Sequence, residues 1–304
     1  MKRLLLLAIA AAELAAPGIN TQGNPAQATF RLSTDAVAVD VSVRQNGRPV
    51  GGLAASDFRL FDSGRAQTIE SIEMAAIPVD VTVVLDTSGS TSGLLSHLKA
   101  DVGEMAALLR PDDRIRLLVL GDEVDDVFGW ASPRGIPSFE PIHVGRISSI
   151  DDAIFLAFMH RPDVGRRHLV VALTDGVDFN SLIDSASLTE AARRAEAVMH
   201  LVLLDGASSL PGTAPRPWFN VYPEADGRRL LADAARLTGG ASHVRTLRDP
   251  VVATFREAFE EFRRSYVLRF TPRDVPRGGW HELRVEVPGR HYEIHARQGY
   301  FGEG

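Results

Sequence analysis

The chain contains no cysteine. Disulfides, zinc–thiolate centres and cysteine nucleophiles are therefore excluded. An excess of positive charge is also lacking: the formal net charge is -6 over 304 residues. Nucleic-acid phosphates demand a basic surface, so no nucleic-acid partner is expected. Neither H-E-x-x-H nor G-x-x-x-x-G-K-[ST] occurs, which removes two common signatures of metalloproteases and phosphate-binding loops. Long apolar runs are missing too. The apolar run Leu4 to Ala12 is nine residues long, too short for a stable membrane span. Lys2 and Arg3 precede it, and small residues lead to Ala26-Gln27-Ala28. Basic start, apolar middle and A-x-A end are the layout of a secretory signal peptide over 1–28. The expectation is an exported protein, periplasmic or extracellular, with no membrane span after cleavage.

What is present is an ordinary globular composition, 45% hydrophobic and 24% charged, with length enough for about two domains. Residues 29–77 read as strands. Val37, Val39, Val41 and Val43 alternate with smaller or polar residues, a period of two. Asn46-Gly47 and Asp62-Ser63-Gly64 supply turns. From Pro78 the texture changes. Val79 to Leu85, Ile115 to Leu120, His168 to Leu173 and Leu201 to Leu204 are apolar runs of the kind that buried parallel strands show. Helical spacing fills the intervals, over 94–109, 151–159, 188–197, 230–237 and 251–264, with Ser187 the expected cap of the third. Val124 to Trp130 pairs as a hairpin with the strand before it. Alternating strands and helices imply a doubly wound, mainly parallel α/β sheet over 78–264. The period of two returns over 265–304. Neither flank suffices for a sandwich alone, so 265–304 is expected to pair with 29–77 in a flanking all-β sandwich-like domain built from both chain ends.

The sharpest chemical signal is Asp86-Thr87-Ser88-Gly89-Ser90, placed directly after the apolar strand 79–85. It sets one carboxylate and two hydroxyls at a strand's carboxyl end, where open α/β sheets bind ligands. Thr174-Asp175-Gly176 follows strand 168–173 in the same way. Asp86, Ser88, Ser90 and Asp175 form an oxygen-only donor set, suited to Mg²⁺ or Mn²⁺. Without a cation the two aspartates would repel, and one would tend to hold a proton. A helix N-cap with an Asx turn explains one or two of these residues, but not Asp175 at a second strand end.

The D-x-S-x-S turn, the later T-D-G and Thr238-Gly239-Gly240 resemble the metal-ion-dependent adhesion site of von Willebrand factor type A domains. The resemblance implies a Rossmann-like doubly wound fold, with the metal on Asp86, Ser88 and Ser90 and on Asp175, often through water. It also implies a hydroxyl from a middle loop, normally threonine. The matching stretch is Ser148-Ser149-Ile150-Asp151-Asp152-Ala153-Ile154, which puts Ser148 at that position. The flanks are similar to bacterial VWFA-related exported proteins. Gly51-Gly52-Leu53, Asp57-Phe58, Phe61-Asp62-Ser63-Gly64 and Gln67-Thr68-Ile69 carry the first part, and Arg297-Gln298-Gly299-Tyr300-Phe301 the last. Together the likeness covers roughly residues 30–301.

Other clusters read more plainly. Gly89-Ser90-Thr91-Ser92-Gly93 has threonine where a G-x-S-x-G elbow has its nucleophile. His291 and His295 share a strand face but lack a third zinc ligand in sequence. Asp122, Glu123, Asp125 and Asp126 lack the spacing of a calcium loop and read as a solvated hairpin tip. Trp218, Phe219 and Tyr222 lie in a Gly-, Pro- and Ser-rich loop over 206–227, where they either anchor a partner or tuck the loop down. The function expected is a metal-dependent protein-binding module, not an enzyme, whose protein partner supplies an acidic residue to the cation. Two alternatives are a hydrolase using the same cation, which would need a general base that no nearby histidine supplies, and a structural envelope subunit stiffened by the metal.

Overall fold

The computed structural model describes residues 36–74, 77–205, 224–246, 248–289 and 291–302. The signal-peptide segment and the three loop aromatics lie outside these residues. The first strands are β1 (Val37–Gln45), β2 (Arg48–Pro49), β3 (Arg59–Asp62), β4 (Arg65–Gln67) and β5 (Ser71–Met74). Two of their hairpins close through two-residue turns with both φ values positive, Asn46-Gly47 and Ser63-Gly64. That backbone matches the right-handed strand twist, and Asn and Gly adopt it at low cost.

The α/β part runs β6 (Val79–Asp86), α1 (Leu98–Ala107), β7 (Arg114–Leu120), β8 (Val124–Asp126), α2 (Ile150–Phe158), β9 (Arg167–Thr174), α3 (Ser185–Arg194), β10 (Val198–Asp205), α4 (Glu224–Leu237), β11 (Ser242–Thr246) and α5 (Val251–Arg264). The sheet order is β11-β10-β9-β6-β7-β8, parallel except for β8, which returns antiparallel against β7. Every residue of β6 and of β9 is buried, because helices cover both faces. Val81, Val83 and Leu85 pack with α1 and α5, whereas Val84, Leu118 and Val170 pack with α2, α3 and α4. Each fully buried valine or leucine contributes roughly 1.5–3 kcal/mol. Apart from the exposed Ala253, the apolar residues of α5 (Val251, Val252, Phe255, Ala258, Phe259 and Phe262) recur at helical spacing and are buried.

Three helix starts differ from the sequence reading, among them α4, which begins at Glu224 rather than at 230. Residues Ser92–His97 form a 3₁₀ segment, so α1 begins only at Leu98. The start of α3 is earlier than expected, because Asp184 rather than Ser187 is the cap. The Asp184 backbone is extended, and its carboxylate accepts from the Ser187 amide at 2.8 Å.

The chain ends with β12 (Tyr266–Phe270), β13 (Gly279–Glu286), β14 (Glu293–Ala296) and β15 (Gly299–Gly302). These strands interleave with the first ones. One sheet runs β14-β1-β12-β5 and another β15-β13-β3-β4, all antiparallel. Val39, Val41, Leu60, Tyr266, Leu268 and Leu283 share one apolar cluster. Arg167 on β9 donates from Nε to Asp40 on β1 at 2.7 Å, which ties the parallel sheet to its neighbour. No helix among the described residues is long and apolar enough to cross a membrane.

Candidate metal centre

Consecutive strands change direction in the sheet order beside β6: β7 lies on one side and β9 on the other. This is the switch point of a doubly wound sheet, and the crevice outside the carboxyl ends of its strands is where ligands bind. Asp86 is the last residue of β6, and Asp175 follows the last residue of β9.

Asp86 is fully buried. Its Oδ1 accepts from the Ser88 amide at 2.9 Å, an Asx turn, and its Oδ2 accepts from Thr174 Oγ1 at 2.7 Å. Thr91 Oγ1 lies 2.8 Å from the Asp86 carbonyl oxygen. Ser88 and Ser90 hydroxyls stand 3.2 Å apart, and Ser90 Oγ donates to Asp175 Oδ2 at 2.6 Å. Asp175 Oδ1 accepts from the Val177 amide at 3.0 Å. Four of the five residues singled out from the sequence thus form one hydrogen-bonded cluster drawn from two strand ends. Its electrostatics are strained. Burial, and then the nearby Asp175 charge, push the Asp86 carboxyl above the usual carboxylate range, against hydrogen bonds from Ser88 and Thr174.

Ser148 stands on the loop before α2. Gly145 of that loop donates to the Thr87 carbonyl at 3.0 Å and bridges Ser88. A side chain at Gly145 would meet Gly121 backbone at 2.4 Å, so only glycine lets this loop pack against the loop after β7. The Ser148 carbonyl accepts from the Phe179 and Asn180 amides at 3.0 and 3.1 Å. The middle loop is therefore sewn to both aspartate-bearing loops. The Ser148 hydroxyl is buried and has no hydrogen-bond partner among the described residues. An unsatisfied buried hydroxyl costs about 1–3 kcal/mol. Oxygen donors, a carboxyl held out of its normal range and a buried hydroxyl without a partner together fit a hard divalent cation.

Of the supporting residues, Thr174 and Gly176 belong to the T-D-G turn read from the sequence, whereas Arg228 carried no signal there. Thr174 holds Asp86, and Arg228 Nε on α4 donates to the Asp175 carbonyl at 2.8 Å. Gly176 adopts a φ of +81° beneath the Arg228 side chain, which accounts for the glycine of the T-D-G turn. Asp151, at the start of α2, is pushed up to about 7 by burial and then by Asp178 and Asp152. In the acidic hairpin, Asp122 accepts from the Arg146 and Ile147 amides, and Asp126 pairs with Arg116 at 2.9 Å. Both carboxylates hold loops. His291 and His295 do not converge on a common partner; His295 instead faces Glu261 and Glu293.

Strand order and loop cluster together define a doubly wound α/β domain with carboxylates and hydroxyls gathered at its switch point. Among known proteins of similar shape are three distant ones. A von Willebrand factor type A protein from Catenulispora acidiphila is 11% identical, with a TM-score of 0.45, over 90% of this chain and 74% of that one. An aerotolerance-related membrane protein from Bacteroides fragilis is 18% identical, with a TM-score of 0.41, over 60% of this chain and 98% of that one. The manganese-loaded TRAP protein of Plasmodium vivax is 12% identical, with a TM-score of 0.41, over 78% and 96%. The strand order, rather than these distant likenesses, defines the fold. No family model matches the chain, and no curated protein does.

Proposed function

We propose that this chain is a metal-dependent protein-binding module of an exported bacterial protein, with its cation held by Asp86, Ser88, Ser90, Asp175 and Ser148. The observation that carries the reading is the joining of Asp86 and Asp175, from separate strand ends, through Ser88 and Ser90. A bound Mg²⁺ or Mn²⁺ supplies positive charge and an open position for one more oxygen ligand. Asp86 and Asp175 fix the charge of the site. Ser88, Ser90 and Ser148 contribute neutral oxygens, so the total negative charge stays low enough for a partner carboxylate to be attractive. Thr174, Thr91 and the backbone amides of Ser88 and Val177 hold the carboxylates in place beforehand, which lowers the ordering cost of binding.

Isothermal titration with Mg²⁺ and Mn²⁺ tests the site. The parent chain should take up about one equivalent there, and Asp86→Ala should take up none at that site. Immobilised chain should retain an acidic-residue partner from cell-envelope extract with Mg²⁺ and release it with chelator. Equal uptake by Asp86→Ala and the parent would falsify the site. Intact uptake with chelator-insensitive capture would sink the metal-dependent binding.

A further inference from the structure

A second cluster of metal-binding side chains lies away from the switch-point loops. His200 is on β10, His243 on the neighbouring edge strand β11, and Glu261 on α5. One ligand atom from each lies within 4.8 Å of the other two. His200 Nδ1 and His243 Nε2 face each other at 3.4 Å, with the ring planes 5° apart. That separation is long for a hydrogen bond. It matches the spacing of two imidazole nitrogens on one tetrahedral ion, about 3.3–3.4 Å for metal–nitrogen bonds near 2.0–2.1 Å. With the centroids 5.7 Å apart, however, the two nitrogens point at each other, so the rings would tilt to aim both at one ion.

A further histidine stands beside Glu261 on the adjoining antiparallel sheet. His295 on β14 has Nδ1 3.4 Å from Glu261 Oε1 and Nε2 3.0 Å from Glu293 Oε1. Its Nδ1 is buried and makes no hydrogen bond among the described residues. A carboxylate on the outer nitrogen is the usual second partner of a metal-bound histidine. Glu261 is itself oriented, by Ser42 Oγ at 2.9 Å on Oε1 and by an ion pair from Arg44 on Oε2. Glu261 and then Glu293 push the His295 imidazole above its usual range, so an entering ion would displace its proton. Burial holds the His200 imidazole down to about 4 and lowers His243 likewise, so both are neutral near pH 7. Glu261 stays ionised, at about 2, because His295, His200 and Arg44 outweigh its burial.

We propose that His200, His243 and Glu261, with His295 as fourth donor, form a second cation site that takes a borderline transition metal of the Zn²⁺ type. Three imidazoles and one carboxylate select against Mg²⁺, which prefers all-oxygen shells. Four protein ligands leave no open position, as in structural rather than catalytic zinc sites. The ion would fasten α5 and the β10–β11 edge to β14. The site is independent of the Asp86 centre.

The test uses the full chain, stripped of metal and then held in excess Mg²⁺ while Co²⁺ is added as a visible probe. The parent should bind about one equivalent with the strong visible absorption of tetrahedral cobalt, displaced by Zn²⁺. Asp86→Ala should bind Co²⁺ in the same way. His243→Asn should weaken Co²⁺ binding about tenfold or more, and His295→Asn should do so too. Absence of the tetrahedral signal in the parent overturns the proposal, as does a signal unchanged in His243→Asn. Metal-free melting curves check that the variants fold, and if His243→Asn is unfolded the His295→Asn titration makes the same decision.

Discussion

The two ends of strand β6 carry two buried aspartates with opposite fates. Asp80, near its start, and Asp86, at its end, are both fully inaccessible to solvent. Burial alone would raise both carboxyls. At Asp80 it is outweighed by hydrogen bonds from His160, Arg114 and Arg166, and the group is held well below the usual carboxylate range. Arg114 Nε and Arg166 Nε reach Asp80 Oδ1 at 2.8 and 2.7 Å. At Asp86 the neighbours are hydroxyls, an amide and a second carboxylate, so the group is pushed up. One end of the strand is electrostatically complete with the protein's own cations. At the other, the proposed metal ion would supply the positive charge. On that proposal, the same residue type on one strand serves stability at one end and ligand capture at the other.

Matched substitutions test this contrast most strongly. Asp80→Asn removes the charge that balances two guanidinium groups and should destabilise the chain by about 3 kcal/mol, read from the urea midpoint at neutral pH. The sign with pH follows from the lowered carboxyl. Its stabilisation is present above the ordinary carboxylate range and is lost as pH falls through the depressed value. The Asp80→Asn variant should therefore show a flatter acid limb. In metal-free buffer Asp86→Asn should cost about 1 kcal/mol or less, because a lost acceptor offsets the relief of repulsion. Equal costs for the two variants would break the comparison.

A second prediction concerns Asp151, a further acid at the loop end of the sheet. Its carboxyl is raised to about 7, so it contributes fully below the ordinary carboxylate range and loses that contribution as pH rises through about 7. Asp151→Asn should be more stable than the parent at pH 8 by on the order of 2 kcal/mol, with the gap closing toward pH 4. A gap that does not change with pH would count against a raised Asp151. The smallest effect is expected at Ser148. Ser148→Ala removes a buried hydroxyl without a partner and should leave metal-free stability unchanged or raise it by about 1 kcal/mol. It should also weaken Mg²⁺ uptake measurably by calorimetry. Undiminished uptake would remove Ser148 from the ligand set.

Much of the α/β pattern was legible because burial on two faces writes a continuous apolar run, as in Val79–Leu85 and His168–Leu173. The turns were legible where φ must be positive, at Asn46-Gly47 and Gly176. Helix starts were less so. Ser187 has the spacing of a capping box, yet Asp184 caps the helix, since both residues satisfy the local rule and only the backbone path chooses between them. The histidine pairing suggested by sequence, His291 with His295, follows strand periodicity. The partners His295 acquires include Glu261, 34 residues earlier in the chain.

The sequence by itself determined the local chemistry of this protein: apolar strands, a D-x-S-x-S turn and a T-D-G turn, each at a strand's carboxyl end. Local periodicity and turn geometry depend on near neighbours in the chain, so they can be read without coordinates. Only the tertiary structure decided which groups meet. The placing of β9 rather than β10 beside β6 brings Asp175 to Asp86, and the docking of α5 and β14 at the β10–β11 edge brings Glu261 and His295 to two histidines. Those meetings depend on strand order and helix packing, which are set by the burial of whole faces and leave no mark at any single position.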